Sequence, residues 1–271
     1  MSNDLIITEK IEHVGIVKLN RAQKKNALNN EMFFELKQAI EKIKNDDEIY
    51  CLILTTTSKD FSVGLDLTSL ATSQSTTGKT SKASAAKNLY NFIKELQDCV
   101  GILASIKIPV IACVSGYCIG GGLDLISACD LRIASQDTVF SIRETKMAIV
   151  ADLGSLQRLP YIMNFSKFLE LAYTGRDFSA HEAFEAGLVN QVAQNYEHAY
   201  QLALSLAKEI ASNSPMAVQG TKQVIFHQLS SLINQELDYV ALYNAAFLQS
   251  NDLIEAITAF FEKRKPKFTG S

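Results

Sequence analysis

Short, continuously apolar runs alternate along the chain with longer stretches of helical periodicity. Residues 5–7 and Val14–Leu19 read as strands joined by a polar turn, and residues 51–55 as a third, fully apolar strand suited to a sheet covered on both faces. Residues 29–45 place Phe33, Leu36, Ile40 and Ile43 on one helical face. Residues 71–87, rich in Ser, Thr and Ala without apolar period, predict a mobile loop. Residues 88–106 resume a helical pattern through Leu89, Phe92, Ile93, Leu96, Val100 and Leu103. A buried strand at 109–114, a glycine cluster at 120–122 and a helix at 123–128 follow, then strands at 131–134 and 138–142. From residue 155 the pattern is mainly helical. This order predicts an α/β core with helices packed at its C-terminal end, without internal repeat or linker.

With 271 residues, 47% of them hydrophobic, the chain can bury a substantial core. A formal charge of −3 gives no electrostatic reason to expect nucleic acid or an anionic membrane. No apolar run approaches the roughly 20 residues that span a bilayer. Residues 1–10 carry Asp4 and Glu9 and lack an apolar core or an Arg-rich presequence, and the last three residues are not a peroxisomal Ser-Lys-Leu tail. The expected location is cytoplasmic. Five cysteines with no CxxC pair read as reduced core residues, and four scattered histidines give little support to a zinc site or a Ser-His triad.

The chemistry concentrates between Gly116 and Asp152. A strand enters Gly120, Gly121 and Gly122 and a helix leaves them. Without side chains, these residues let a ligand approach the backbone, and the first N–H groups of the helix are unpaired, which suits a developing oxyanion. The spacing is neither GxGxxG nor a P-loop, and a tight turn that binds nothing fits equally well. A second patch, Asp60-Phe61-Ser62-Val63-Gly64-Leu65-Asp66-Leu67, also follows a buried strand and offers further donors. Two donors suit a thioester enolate, whose charge sits largely on one oxygen. Asp124, Glu144 and Asp152 complete the set, 20 and 8 residues apart, each in apolar surroundings. Asp152 also suits a helix N-cap, and Asp124 a pairing with Arg132 or Arg143. Buried together, the three acids would have raised pKa values suited to proton transfer near neutrality.

The run Ile108-Pro109-Val110-Ile111-Ala112 to Gly116-Tyr117-Cys118-Ile119-Gly120-Gly121-Gly122 resembles the hallmark of the crotonase (enoyl-CoA hydratase/isomerase) superfamily. Asn26-Ala27-Leu28, Thr174-Gly175-Arg176 with AFEAGLV at 183–189, Ser214-Pro215 and Glu262-Lys263-Arg264-Lys265-Pro266 extend the resemblance over nearly the whole chain. It implies a crotonase-like spiral of ββα units over residues 1–200 with a C-terminal helical trimerisation region at 201–271. It also implies homotrimers or homohexamers and an acyl-CoA substrate, with coenzyme A part of the substrate and no separate cofactor or metal.

By resemblance the oxyanion donors are the N–H groups of Leu65 and Gly121, with Val63, Gly64, Asp66 and Leu67 around the substrate, and the hydratase-type acids are Asp124 and Glu144. Arg21, Lys24, Lys25 and Lys263 are the candidate cations for the coenzyme phosphates. Hydratases generally have Glu at the first acid position and Gly where Asp152 stands. The combination found here is similar to the dienoyl-CoA isomerase branch, which moves a pair of double bonds along an unsaturated fatty acyl thioester. That branch implies Glu144 and Asp152 as the transferring acids, one serving carbon 2 and the other carbon 6, with Asp124 holding their proton affinity high; the analogy with hydratases favours Glu144 near carbon 2 and leaves the converse assignment open. Arg143 departs from the Pro common in the superfamily. Hydration of a 2-enoyl-CoA and a non-catalytic role such as RNA association are the competing readings, the latter disfavoured by the acidic balance.

Overall fold

The computed structural model describes residues 4–67 and 81–271. Among these, six strands form one sheet in the order β1-β2-β3-β4-β6-β9 and three form a second, β5-β7-β8. In the large sheet β1 (Ile6–Ile11) pairs antiparallel with β2 (Val14–Leu19). From β2 onward, β3 (Cys51–Thr56), β4 (Val110–Val114), β6 (Leu131–Ser135) and β9 (Gln191–Ala193) run parallel. Every residue of β3 and β4 is buried, as expected of parallel strands covered on both faces.

One face packs on α1 (Asn30–Lys44) and α2 (Lys82–Ser105), in a core that includes Leu52, Leu54, Leu36, Ile40 and Leu103. Asn29 caps α1 by accepting the Met32 N–H. The other face is covered by α7 (Tyr196–Ala211), whose Ala199, Ala203 and Ala207 cluster with Ile16, Ile53, Ile111 and Ile133. Spaced four residues apart, the three methyls share one helical stripe, and their small size lets the helix lie close to the sheet.

Strands of the large sheet are followed by short strands of the small one: β4 by β5 (Tyr117–Ile119) and β6 by β7 (Val139–Ser141). β7 then pairs antiparallel with β8 (Phe178–Ser179). The chain spirals in this way, with α3 (Gly121–Ser127) leaving β5 and α4 (Ser155–Arg158), α5 (Phe165–Thr174) and α6 (Ala180–Glu185) closing one end. Two C-terminal helices follow, α8 (Pro215–Phe247) and α9 (Asn251–Phe261). Lys222 fastens α8 to the core, its Nζ donating to Asp130 Oδ2 at 2.7 Å and to the Ile108 carbonyl at 3.0 Å. Among the described residues no helix is long and apolar enough to cross a membrane.

Two local differences from the sequence reading have physical causes. Residues 71–80 of the predicted loop lie outside the described residues, but residues 82–87 are already helical. The Ser81 hydroxyl accepts the Ser84 N–H, and Ala83, Ala85 and Ala86 favour helix strongly. The boundary expected between residues 200 and 201 falls inside α7, whose alanine stripe belongs to the core. All five cysteines are free and buried.

Candidate active site

Two loops meet beside β5. In the first, Gly120 has φ +52° and ψ −119°, a conformation side chains rarely adopt, and its N–H donates to the Ser141 carbonyl at 3.0 Å. The Gly121 N–H opens α3 and has no acceptor within the helix. In the second, Gly64 has φ +90°, and a β-carbon there would lie 2.9 Å from the Ile119 carbonyl oxygen. The Gly64 carbonyl accepts the Leu28 N–H at 2.8 Å and the Asp66 N–H reaches the Leu28 carbonyl at 2.9 Å, which leaves the intervening Leu65 N–H outside the ladder. The two predicted donors lie close together: a β-carbon on Gly121 would lie 3.7 Å from the Leu65 nitrogen.

Asn26 holds the second loop in place. It is buried, its Oδ1 accepts the Arg21 N–H at 2.7 Å, and its Nδ2 reaches Thr56 Oγ1 at 2.7 Å and the carbonyls of Asp60 and Phe61 at 2.9 and 3.0 Å. Ser62 Oγ donates to the Asn26 carbonyl and accepts the Gly64 N–H. The Asn26-Ala27-Leu28 segment is therefore the support of the Leu65 donor.

Glu144 begins a 3-10 turn, Glu144–Met147, directly after β7. Its Oε2 is buried without a hydrogen-bond partner among the described residues. Burial, together with the negative charges of Asp124 and Asp152, pushes its pKa up to about 8. Asp124, on α3, is fully enclosed and accepts the Ser155 N–H at 2.7 Å. Burial raises its pKa to about 6, against the pull of that N–H and of the Arg158 guanidinium. Asp152 accepts from Asn244 Nδ2 at 2.6 Å. The residue keeps some accessible surface, but its carboxyl is poorly solvated. That burial raises its pKa to about 7; the Asn244 hydrogen bond opposes the rise and the Asp124 charge adds to it.

A cavity of about 550 Å³ is lined by Val63, Gly64, Leu65, Asp66 and Leu67 together with Gly120, Gly121 and Glu144. Phe260 and Phe261 of α9 and the Arg143–Asp177 ion pair line it further out. The predicted donors and one acid are thus brought together on the wall, while Asp124 and Asp152 are not among the lining residues but stand within electrostatic reach of Glu144.

Several side chains stand otherwise than predicted. Asp124 pairs with neither Arg132 nor Arg143. The Arg132 guanidinium donates to the carbonyls of Leu188, Ile126, Cys129 and Asp130, and Arg143 pairs with Asp177. The cation beside Asp124 is Arg158, packed over Gly154. Asp152 caps no helix, because α4 starts after Gly154 and the carboxyl turns to Asn244. Of the candidate phosphate-binding cations, Arg21 is committed to Asp66 Oδ2 and the Ala27 carbonyl, both at 2.7 Å. Lys24 is exposed, and Lys25 is exposed with its Nζ 5.2 Å from the centre of the Tyr117 ring. Lys263 is exposed just beyond α9. Asn244, Gln97 and Arg158 were not singled out from the sequence, for nothing in their local pattern marks them.

The family described as enoyl-CoA hydratase/isomerase matches residues 9–271, and the chain belongs to it. It is an enzyme of that family, and a crotonase fold is shared with solved relatives. An enoyl-CoA hydratase structure from Bacillus halodurans superposes with a TM-score of 0.85 at 24% identity, covering 94% of this chain and 100% of that one. Within the family the chain is similar to proteins named Δ3,5-Δ2,4-dienoyl-CoA isomerase. The peroxisomal one of Arabidopsis thaliana is 41% identical over 252 residues, 92% of this chain and 90% of that protein. The mitochondrial one of Homo sapiens is 36% identical over 264 residues, 97% and 80% of the two chains.

Proposed function

We propose that the protein converts a 3,5-dienoyl-CoA to the 2,4-dienoyl-CoA during degradation of unsaturated fatty acids. The observation that carries this reading is Asp152: a third carboxyl within electrostatic reach of Glu144, in a chain similar to proteins named for that isomerisation. The thioester oxygen lies between the Leu65 and Gly121 N–H groups. Glu144, beside Gly120, takes a proton from carbon 2, and the electron pair spreads as a dienolate from the thioester oxygen to carbon 6. Asp152, which stands behind the residues lining the cavity, returns a proton at carbon 6 where the acyl chain reaches past them, so substrate and product differ only in proton and double-bond positions. This balance requires no redox partner, and coenzyme A is the only coenzyme, carried by the substrate. Glu144 and Asp152 both titrate near neutrality, so the pair holds one proton there, mostly on Glu144, and the reactive arrangement with that proton on Asp152 is the minor of the two. Asp124 stays anionic beside Arg158 and keeps the proton affinity of Glu144 high.

Lys24, Lys25 and Lys263 serve the coenzyme phosphates, and Arg21 instead braces the oxyanion loop through Asp66. Apolar side chains exposed on α8 and α9, including Val224, Leu242 and Phe247, suit burial in a homotrimer or homohexamer. Supplying 3,5-dienoyl-CoA and 2-enoyl-CoA separately tests the reading. Appearance of 2,4-dienoyl absorbance supports it, whereas efficient hydration of the enoyl thioester without dienoyl turnover overturns it in favour of a hydratase.

A further inference from the structure

The Asp152 carboxyl is approached from a distant part of the chain. Asn244, near the C-terminal end of α8, is buried, and its Nδ2 donates both to Asp152 Oδ2 at 2.6 Å and to the Val150 carbonyl at 2.8 Å. The same short segment is held from a second side. Gln97 of α2 donates through Nε2 to the Asp152 carbonyl at 2.8 Å and to the Leu237 carbonyl of α8 at 2.9 Å. An amide with two acceptors in fixed positions cannot rotate freely, so the side chain that receives its second hydrogen is aimed as well. We propose that Asn244 is a positioning residue that fixes the aim of the Asp152 carboxyl through its paired hydrogen bonds, coupling α8 to proton transfer.

The charged groups around Asp152 are Asp124 on α3, Glu144 in the 3-10 turn and, beside Asp124, Arg158 on α4. Both acids oppose ionisation of Asp152, and Arg158 is turned to Asp124 rather than to Asp152. The Asn244 amide acts in the other direction, alongside a backbone N–H of Asp152 itself. As a donor that bonds more strongly to a carboxylate than to a carboxylic acid, it lowers the proton affinity of Asp152 and makes that group a better acid towards carbon 6. The catalytic part of this inference rests on the isomerase reading; the electrostatic part does not.

The test is a carboxyl-carbon NMR titration of full-length protein labelled at aspartate, with the Asp152 signal assigned by its loss in Asp152→Asn. In Asn244→Leu, which keeps the bulk and removes the donor, Asp152 is expected to titrate about one pH unit higher than in the unmodified protein. Turnover of 3,5-dienoyl-CoA is expected to fall roughly tenfold in kcat with little change in KM. Asn244→Ala provides the same comparison should the leucine variant not fold. An Asp152 titration that stays in place in the folded variant overturns the proposal. Absence of dienoyl turnover in the unmodified protein would remove the isomerase reading instead, and the Asp152 titration would still decide the role of Asn244.

Discussion

Glu144 Oε1 lies 3.1 Å from the point that a β-carbon on Gly120 would occupy. The acid and the glycine turn therefore share one space, and the missing side chain of Gly120 is what leaves room for the carboxyl there. Gly120 also holds φ +52°, which an L side chain adopts only under strain. Gly120→Ala is expected to fold with reduced stability and to lose about 100-fold or more in kcat, because a displacement of the reacting group by a fraction of its length is that costly. Steady-state turnover alongside a thermal melt checks this.

On the proposed reaction, the pH dependence follows from two acids that exchange protons. Asp152 titrates near 7 and Glu144 near 8, and turnover needs one proton shared between them. Below this range both are protonated and no base remains; above it both are ionised and no acid remains. A bell-shaped kcat/KM profile with its maximum between these values is expected. A profile flat from pH 5 to 9 would contradict it.

The same raised pKa values act on stability. A carboxyl whose folded pKa lies above its unfolded one binds protons more tightly in the fold, so its contribution is present at low pH and is lost as pH rises through the folded value. Asp152, pushed up to about 7 by burial, thus weakens the fold above neutrality. Asp152→Asn is expected to be inactive yet more stable than the unmodified protein at pH 8.5, by about 1–4 kcal/mol, with the difference shrinking towards pH 5. Denaturant melts at the two pH values measure it.

Much of this site was legible in order along the chain. The glycine turn, the Gly64-Leu65 patch and the three acids lie in runs whose local pattern announces a strand, a turn and a helix, and the structure brings the donors and Glu144 to one cavity. Their partners were not legible, because they come from afar. Asp152 meets Asn244 across 92 residues, and Asp124 meets the Ser155 N–H across 31. Asn244 is one of two buried polar residues, with Lys222, in a helix of 33 residues, and its local sequence pattern does not distinguish it from the exposed polar positions around it. Arg132 and Arg143 were the nearer arginines in sequence, yet Arg132 is consumed by backbone carbonyls, and the cation that reaches Asp124 is set by the turn at Gly154.

That turn carries its own prediction. Gly154 has φ +130°, and a β-carbon there would fall 1.5 Å from Arg158 Nη1. Gly154→Ala must strain the backbone and expel the guanidinium, leaving Asp124 buried without its cation. A loss of about 2–4 kcal/mol in folding stability is expected, read by denaturant unfolding, and an unchanged midpoint would show that Arg158 has another place to go.

The division of labour between Glu144 and Asp152 is tested most directly by running Asp152→Asn on 3,5-dienoyl-CoA in deuterium oxide and following both substrate and product by NMR. With Glu144 intact, deuterium is expected to enter carbon 2 of the remaining substrate while formation of the 2,4-dienoyl product falls by at least 1,000-fold. Product formed at a near-normal rate, or loss of carbon 2 exchange together with product, would contradict the assignment of carbon 2 to Glu144 and carbon 6 to Asp152.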